Sequence, residues 1–397
     1  MPAAESHLLP VYSPPEQTFV RGEGCWIWDD KGERYLDCIA GIAVDALGHA
    51  PPVLVKALTE QANKLWHTSN MFKIKGQEEL AAKYCAHSFA DVVFFTNSGT
   101  EAIECALKTV RKYHSANGNP ERVDIIGFQG SFHGRSYAAI NASGNPNYLE
   151  GFGPRLPAFA QAPFGDIEAV KNLVGPTTAG IIVEPVQGEG GVRAAPDGFL
   201  RALRKLADEN GLLLIFDEVQ SGAGRTGKLW AHEWEGVAPD VMAVAKGVGG
   251  GFPMGAMLAT REAAKGMVKG VHGTTFGGNP LAMAVGNACF DELSKPQFLE
   301  RVRAASNRLG QALEGLKDRH PDLVAETRGK GLLRGLKLKI DPKGIQAKLR
   351  DRKVLVGVAG DNVLRLAPPL IIEDAQLSQA IDAIDAVLAE QMAEAGA

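Results

Sequence analysis

The sequence predicts an α/β fold, with a mostly parallel sheet covered by helices in a large domain and a smaller α+β domain behind it. Three observations predict it. From about residue 91 short apolar runs alternate with helical patterns, as in parallel sheets built from strand–helix–strand units. The run Leu212–Phe216 has no polar alternation, so both of its faces are buried. The chain has 397 residues, more than one small core accommodates, and its pattern changes near residue 280.

Taken in order, "CWIWDDKGERYLDC" reads as a hairpin turning at Asp30, Lys31 and Gly32. Pro51 and Pro52 open a helix through "VLVKALTEQANKLW". The strand "VVFFT" leads into a helix from Thr100 to about Tyr113. There follow the strands "VDIIGF" and "GIIVEP", the helix "PDGFLRALRKLADENG", and the strands "LLLIF" and "VMAVAK". Helices dominate from about 280 to 318. "GLLRGLKL", "KVLVGV" and "NVLRLA" are then short strands, and an amphipathic helix near 373–391 closes the chain. The expected division is an N-terminal segment, 1–49, that joins the small domain, a large domain over 50–285, and a small domain over 286–397.

Hydrophobic residues make up 45% and charged residues 22%, with a formal net charge of −4. That balance offers no basic field to nucleic acid or an anionic membrane. Five cysteines without a CxxC pair argue for free thiols in a reducing compartment and against a zinc site or disulfide framework. The start, "MPAAESHLLPVYSPP", has no apolar signal core, and no apolar run reaches the ~18 residues of a membrane span. The expected location is the cytoplasm.

Ligands of open parallel sheets bind beyond the carboxyl ends of the strands. Those ends here carry "NSGTEA", "QGSFHGR", "VQGEGGV", "DEVQSGAGRTG" and "KGVGGGFPMG". "NSGTEA" turns a strand into a helix with small residues, which suits a phosphate; it is equally an ordinary Ser/Thr cap. Lys246, at the tip of an apolar strand, suits a nucleophilic amine with a lowered pKa; it is equally a snorkelling lysine or one paired with Glu218. Asp217 could cap the next turn. "GVGGG" lacks the spacing of a dinucleotide loop. In combination the three match the needs of pyridoxal 5'-phosphate: a phosphate cradle, an amine for its aldehyde, and a carboxylate for its ring nitrogen. Asp217 would then meet a cation, which offsets the cost of burying its charge.

The motifs "NSGTEA", "SFHGRS", "EPVQGEGGV", "DEVQSGAGRTG", "AKGVGGGFPMGAM" and "HGTTFGGNPLA" resemble, in order and nearly end to end, the class III pyridoxal-phosphate aminotransferases. The resemblance implies a fold type I enzyme, a homodimer with shared active sites, and Lys246 as the Schiff-base and proton-shuttle lysine. It implies that Gly99 and Thr100 bind phosphate, Phe132 stacks on the ring, Asp217 pairs with the ring nitrogen, Val219 packs behind it, and Gln220 reaches its hydroxyl. Arg135 would bind the substrate α-carboxylate. Thr274 would lie near the substrate and Thr275 would reach the partner's phosphate. Glu184 and Arg365 would form a gate for glutamate, and Tyr12 would contact the acylated end of the substrate. Within the family the pattern resembles members that move the terminal amine of N2-acetylornithine to 2-oxoglutarate. Ile42 and "FHGR" depart from the ornithine-type members, and "HGTTFGGNP" from the 4-aminobutyrate type. The alternatives are another class III substrate, namely N-succinyldiaminopimelate, succinylornithine, ornithine or 4-aminobutyrate, and, from another class, a non-catalytic phosphate-binding α/β protein.

Overall fold

The computed structural model describes residues 7–396. Seven strands form the central sheet, in the spatial order Val92–Thr96, Gly255–Ala259, Val241–Val244, Leu213–Asp217, Thr178–Val183, Asp124–Phe128 and Phe159–Ala162. The last five pair in parallel, whereas Gly255–Ala259 runs antiparallel to both of its neighbours.

Why the apolar runs are continuous is visible in the packing. One face of the sheet presents Ile125, Ile182, Ile215 and Ala243 to Ile103, Leu107 and Val110 of the helix Gly99–Ala116. The other presents Ile126, Ile181, Leu214, Phe216 and Met242 to a second core that includes Leu203 of the helix Phe199–Asn210. All five residues of Leu213–Asp217 are buried, so a polar residue at either face would be desolvated without return. Cutting Phe216 to alanine would leave a cavity worth about 3–5 kcal/mol.

The predicted hairpin forms, as Trp26–Asp29 and Arg34–Asp37, its turn closed by the Gly32 N–H donating to the Asp29 carbonyl at 3.0 Å. Val354–Leu355 adds to it in parallel, tying the N-terminal segment to the C-terminal part of the chain. The helix opened by Pro52 stops at Ala62, short of Trp66. Several elements had no clear signal in the sequence. Gly255–Ala259 lies just past a glycine-rich loop and holds only five residues. Phe159–Ala162 has four. The helix Gln77–Ala86 buries only Leu80 and Tyr84. Val324–Lys330 is the edge of a four-stranded sheet and carries an exposed, charged sequence. No helix among the described residues is long and apolar enough to cross a membrane.

Candidate active site

The carboxyl ends of the parallel strands open into a cavity of about 320 Å³. The acid pair at the tip of Leu213–Asp217 divides at its mouth. Asp217 lines the cavity, where Oδ2 lies 2.7 Å from His133 Nδ1 and Oδ1 accepts the Val219 N–H at 3.0 Å. Glu218 turns away from it. Its carboxylate accepts the backbone N–H groups of Ala231 (2.6 Å) and His232 (2.8 Å) and lies 2.7 Å from His232 Nδ1. A strand alternates its side chains between faces, so two adjacent acids cannot share one site. Glu218 holds a turn and Asp217 faces the cavity.

Opposite stands the N-terminus of Gly99–Ala116. Ser98 caps it by accepting the Glu101 N–H, and Glu101 accepts in turn from the Asn97 N–H at 2.7 Å. The N–H groups of Gly99 and Thr100 have no acceptor within the helix and lie at its positive end, a cradle for an anion. Gly99 is required here because a Cβ would meet Val219 Cγ1 at 2.8 Å.

Lys246 follows the strand Val241–Val244 and begins a 3-10 turn with φ at 51°, a costly conformation for a lysine. Its side chain is half-buried and lines the cavity, with no hydrogen-bond or ion-pair partner among the described residues. Burial pushes the amine's pKa down, against Glu189, Asp217 and Glu184, which pull it up. The alternative pairing with Glu218 is absent. An unpaired amine, strained backbone and lowered pKa together suit a nucleophile.

The expected Glu184–Arg365 pair is not formed in this structure, although Glu184 does line the cavity. Glu184 is buried and accepts the Phe132 N–H at 3.1 Å; burial, then the charge of Asp217, pushes its carboxyl well above the ordinary range. Arg365 instead donates through Nη1 to Glu189 Oε1 at 2.5 Å and to the Gly188 carbonyl at 3.2 Å. Gln220 Nε2 donates to the same carboxylate at 3.3 Å. Glu189 and Gln220 line the cavity and Arg365 stands behind them. A Cβ at Gly188 would fall on the Gln220 amide, so any larger residue there would displace that side chain.

Phe132 and Val219 also line the cavity. Four other expected residues lie outside it. Arg135 is exposed, its guanidinium 4.0 Å from the ring centre of Tyr148 and 5.5 Å from that of Phe132. Tyr12 is 85% exposed. Thr274 Oγ1 accepts the Gly277 N–H at 3.0 Å and so closes its own loop, while Thr275 is exposed. His133 and Glu189 were missed by sequence reasoning. Both stand in stretches already singled out, "SFHGRS" and "EPVQGEGGV", but spacing alone does not say which side chain turns inward.

The residues fit pyridoxal 5'-phosphate on observations of the site itself. It has an anion cradle whose Gly99 admits no Cβ beside Val219, a buried carboxylate and a partnerless amine, and buried His133 Nε2 has no protein partner. The profile described as Aminotransferase class-III matches residues 11–388. Acetylornithine aminotransferase 2 of Caulobacter vibrioides is 57% identical to this chain, covering 99% of it and 98% of the relative. A succinylornithine transaminase/acetylornithine aminotransferase of Pseudomonas aeruginosa is 43% identical over 97% of this chain and 96% of the relative. Among solved structures, the ornithine aminotransferase of Toxoplasma gondii superposes with a TM-score of 0.94 at 30% identity, covering 98% and 94% of the two chains. The N-acetylornithine aminotransferase of Stenotrophomonas maltophilia does so with 0.84 at 36%, covering 96% and 98%. With its motifs in order and matched over almost its whole length, the chain belongs to the class-III aminotransferases.

Proposed function

We propose that this chain transfers the terminal amine of N2-acetylornithine to 2-oxoglutarate, giving N-acetylglutamate 5-semialdehyde and glutamate in a ping-pong cycle within arginine biosynthesis. The observation that carries the reading is a cavity gathering Lys246, Asp217 and the Gly99–Thr100 cradle in a chain 52–57% identical to acetylornithine aminotransferases over nearly its whole length. Pyridoxal 5'-phosphate, when bound, supplies an aldehyde that captures amines and a protonated ring that draws electrons from the substrate carbon.

The chain's own residues do the rest. The N–H groups of Gly99 and Thr100 hold a phosphate, and Phe132 and Val219 confine a flat ring. Asp217, oriented by His133, sets its carboxyl group where a ring nitrogen must stay protonated. Lys246 Nζ, unpaired and with its pKa lowered by burial so that the free amine is available, is the group that moves a proton at the substrate carbon. Arg135, at the rim, suits the α-carboxylate because its planar fork binds two oxygens.

Arg365 explains how one site takes two different acids. While Glu189 pairs with it, the site presents a neutral wall to an acylated substrate. A buried arginine leaves its partner only when another carboxylate replaces it, because an unpaired buried charge costs about 3–5 kcal/mol. Glutamate and 2-oxoglutarate bring that second carboxylate. Glu189→Gln should therefore weaken N2-acetylornithine about ten-fold or more and spare glutamate, the loss of one charged hydrogen bond. Half-reaction kinetics check this, and equal losses in both halves would reduce Glu189 to a structural residue.

The working form is read as a homodimer. Trp66, Met71, Phe72 and Phe276 are 66%, 85%, 66% and 57% exposed and flank the loop with Thr275. Asn70 Nδ2 donates to the Thr274 and Gly277 carbonyls, so these residues form one patch. Exposed apolar surface of this extent marks an interface. If Thr275 serves the partner's phosphate, mixing Lys246→Ala and Thr275→Ala chains restores activity in one of the two sites of the mixed dimer. Mixed dimers that form yet recover nothing would place Thr275 in its own chain's business.

The reaction itself is tested with a panel of amine donors, 2-oxoglutarate being the acceptor: N2-acetylornithine, N2-succinylornithine, N-succinyldiaminopimelate, ornithine and 4-aminobutyrate. The reading predicts that acylated ornithines give the highest kcat/KM. Preference for ornithine or 4-aminobutyrate would move the chain elsewhere in the family, and no turnover with any would favour a binding protein.

A further inference from the structure

Beside the cavity, outside the groups so far assigned a role, one carboxylate oxygen collects three cations. Asp361 Oδ2 lies 3.0 Å from Arg193 Nη2, 2.8 Å from Arg328 Nη1 and 3.0 Å from Lys337 Nζ. Although partial burial pushes its pKa up, hydrogen bonds from Lys337, Arg193 and Arg328 hold the carboxyl well below the usual range. The anion therefore persists at any working pH.

What these cations belong to decides the meaning. Arg193 is on the two-stranded hairpin Val186–Gln187/Arg193–Ala194, whose tip carries Glu189. Asp361 sits in the turn before Val363–Leu366, the strand that carries Arg365. The two pieces also meet through the backbone, where the Gly360 N–H donates to the Glu189 carbonyl at 2.9 Å. Arg328, from the strand Val324–Lys330, adds a bond to the Gly191 carbonyl at 3.3 Å. Asp361 and Asn362 both adopt positive φ, 59° and 56°, the left-handed turn conformation that Asp and Asn tolerate best among non-glycine residues.

We propose that Asp361 is a positioning residue: it clamps the hairpin tip to the turn before Arg365 and so fixes the distance at which Glu189 and Arg365 pair. The clamp rests on the reading of that pair as the selector between acylated and dicarboxylate substrates, and adds what holds it in register. With the backbones fixed, exchange of partners is confined to side chains, and the hairpin does not drift when glutamate enters. Loosening the clamp weakens the closed pair, because charged hydrogen bonds fall off steeply with distance and angle. The open state, in which Arg365 meets a substrate carboxylate, loses less.

Asp361→Asn and Arg193→Gln test this on the holoenzyme. They change the local charge in opposite directions. A field effect on anionic substrates would therefore move their constants in opposite directions, whereas a loosened clamp moves both the same way. The expected result for each is a KM for N2-acetylornithine raised about ten-fold, the loss typical of one charged hydrogen bond. The KM for glutamate and the kcat of both half-reactions should stay within about two-fold, below that same loss. The melting temperature and the visible absorbance of bound cofactor should hardly move, since partly exposed ion pairs add little to global stability. Equal changes in both half-reactions, opposite changes in the two variants, or no change would overturn the clamp. If Asp361→Asn fails to fold, the exposed Arg193→Gln decides alone. Glu189→Gln measured alongside separates the layers: a split there with none in the clamp variants overturns the clamp only, and no split in Glu189→Gln overturns the selector and the clamp with it.

Discussion

Lys246→Met is expected to lower turnover by about 10⁴-fold, the upper range for loss of a positioned acid–base group, while making the cofactor-free chain more stable. The first effect follows from where the amine stands, unpaired at a strand tip and facing both the anion cradle and Asp217. The second follows from what burial costs it. An amine held without a partner is worth about 1–3 kcal/mol of destabilisation, and a thioether of similar length removes it. The sign can be checked against pH. Folding depresses this lysine below its ordinary value of 10.5, so the penalty is fully present below the folded pKa. It fades as pH rises toward the unfolded value, and the gain in Lys246→Met should shrink in step. Melting curves of the two apoproteins between neutral pH and pH 10 measure this. A variant that melts lower than the parent at neutral pH, or keeps near-normal activity, would remove Lys246 from the role.

Asp217→Asn should keep bound cofactor yet slow the first half-reaction by about 10²–10³-fold, as when one preorganised electrostatic group is lost. His133→Phe takes one charged hydrogen bond from the same carboxylate and should cost less, about 10- to 100-fold. Glu218→Gln is the control, since that carboxylate holds the Ala231–His232 turn and should lower the melting temperature with little effect on rate. Single-turnover kinetics and melting curves of the three variants give the ordering. A fast Asp217→Asn enzyme with a slow Glu218→Gln enzyme would reverse the assignment of the pair.

How much of this the sequence discloses depends on the kind of contact. Strand ends in a parallel sheet converge on one edge, so Gly99, Thr100, Asp217 and Lys246 can be placed together from apolar runs alone. Val219 and Gln220 follow from adjacency. Choosing between Glu184 and Glu189 cannot be done that way. Both stand in "EPVQGEGGV", and only the fold shows Glu184 buried beneath the Phe132 N–H and Glu189 at the tip of a short hairpin beside Arg365. His133 and Asp217 meet across 84 residues, with no periodic signal linking them. Thr275 is illegible for another reason: its expected target lies on a second chain, and in a single chain it is an exposed loop residue.

The measurement that tests the central claim most directly is mapping the covalent attachment. The holoenzyme is reduced with borohydride, digested and examined by mass spectrometry, with Lys246→Met treated in parallel. The account predicts a phosphopyridoxyl group on the peptide containing Lys246, bleaching of the visible absorbance, and no labelled peptide from the variant. A label on another lysine, or one that persists in Lys246→Met at the parent's level, would contradict it.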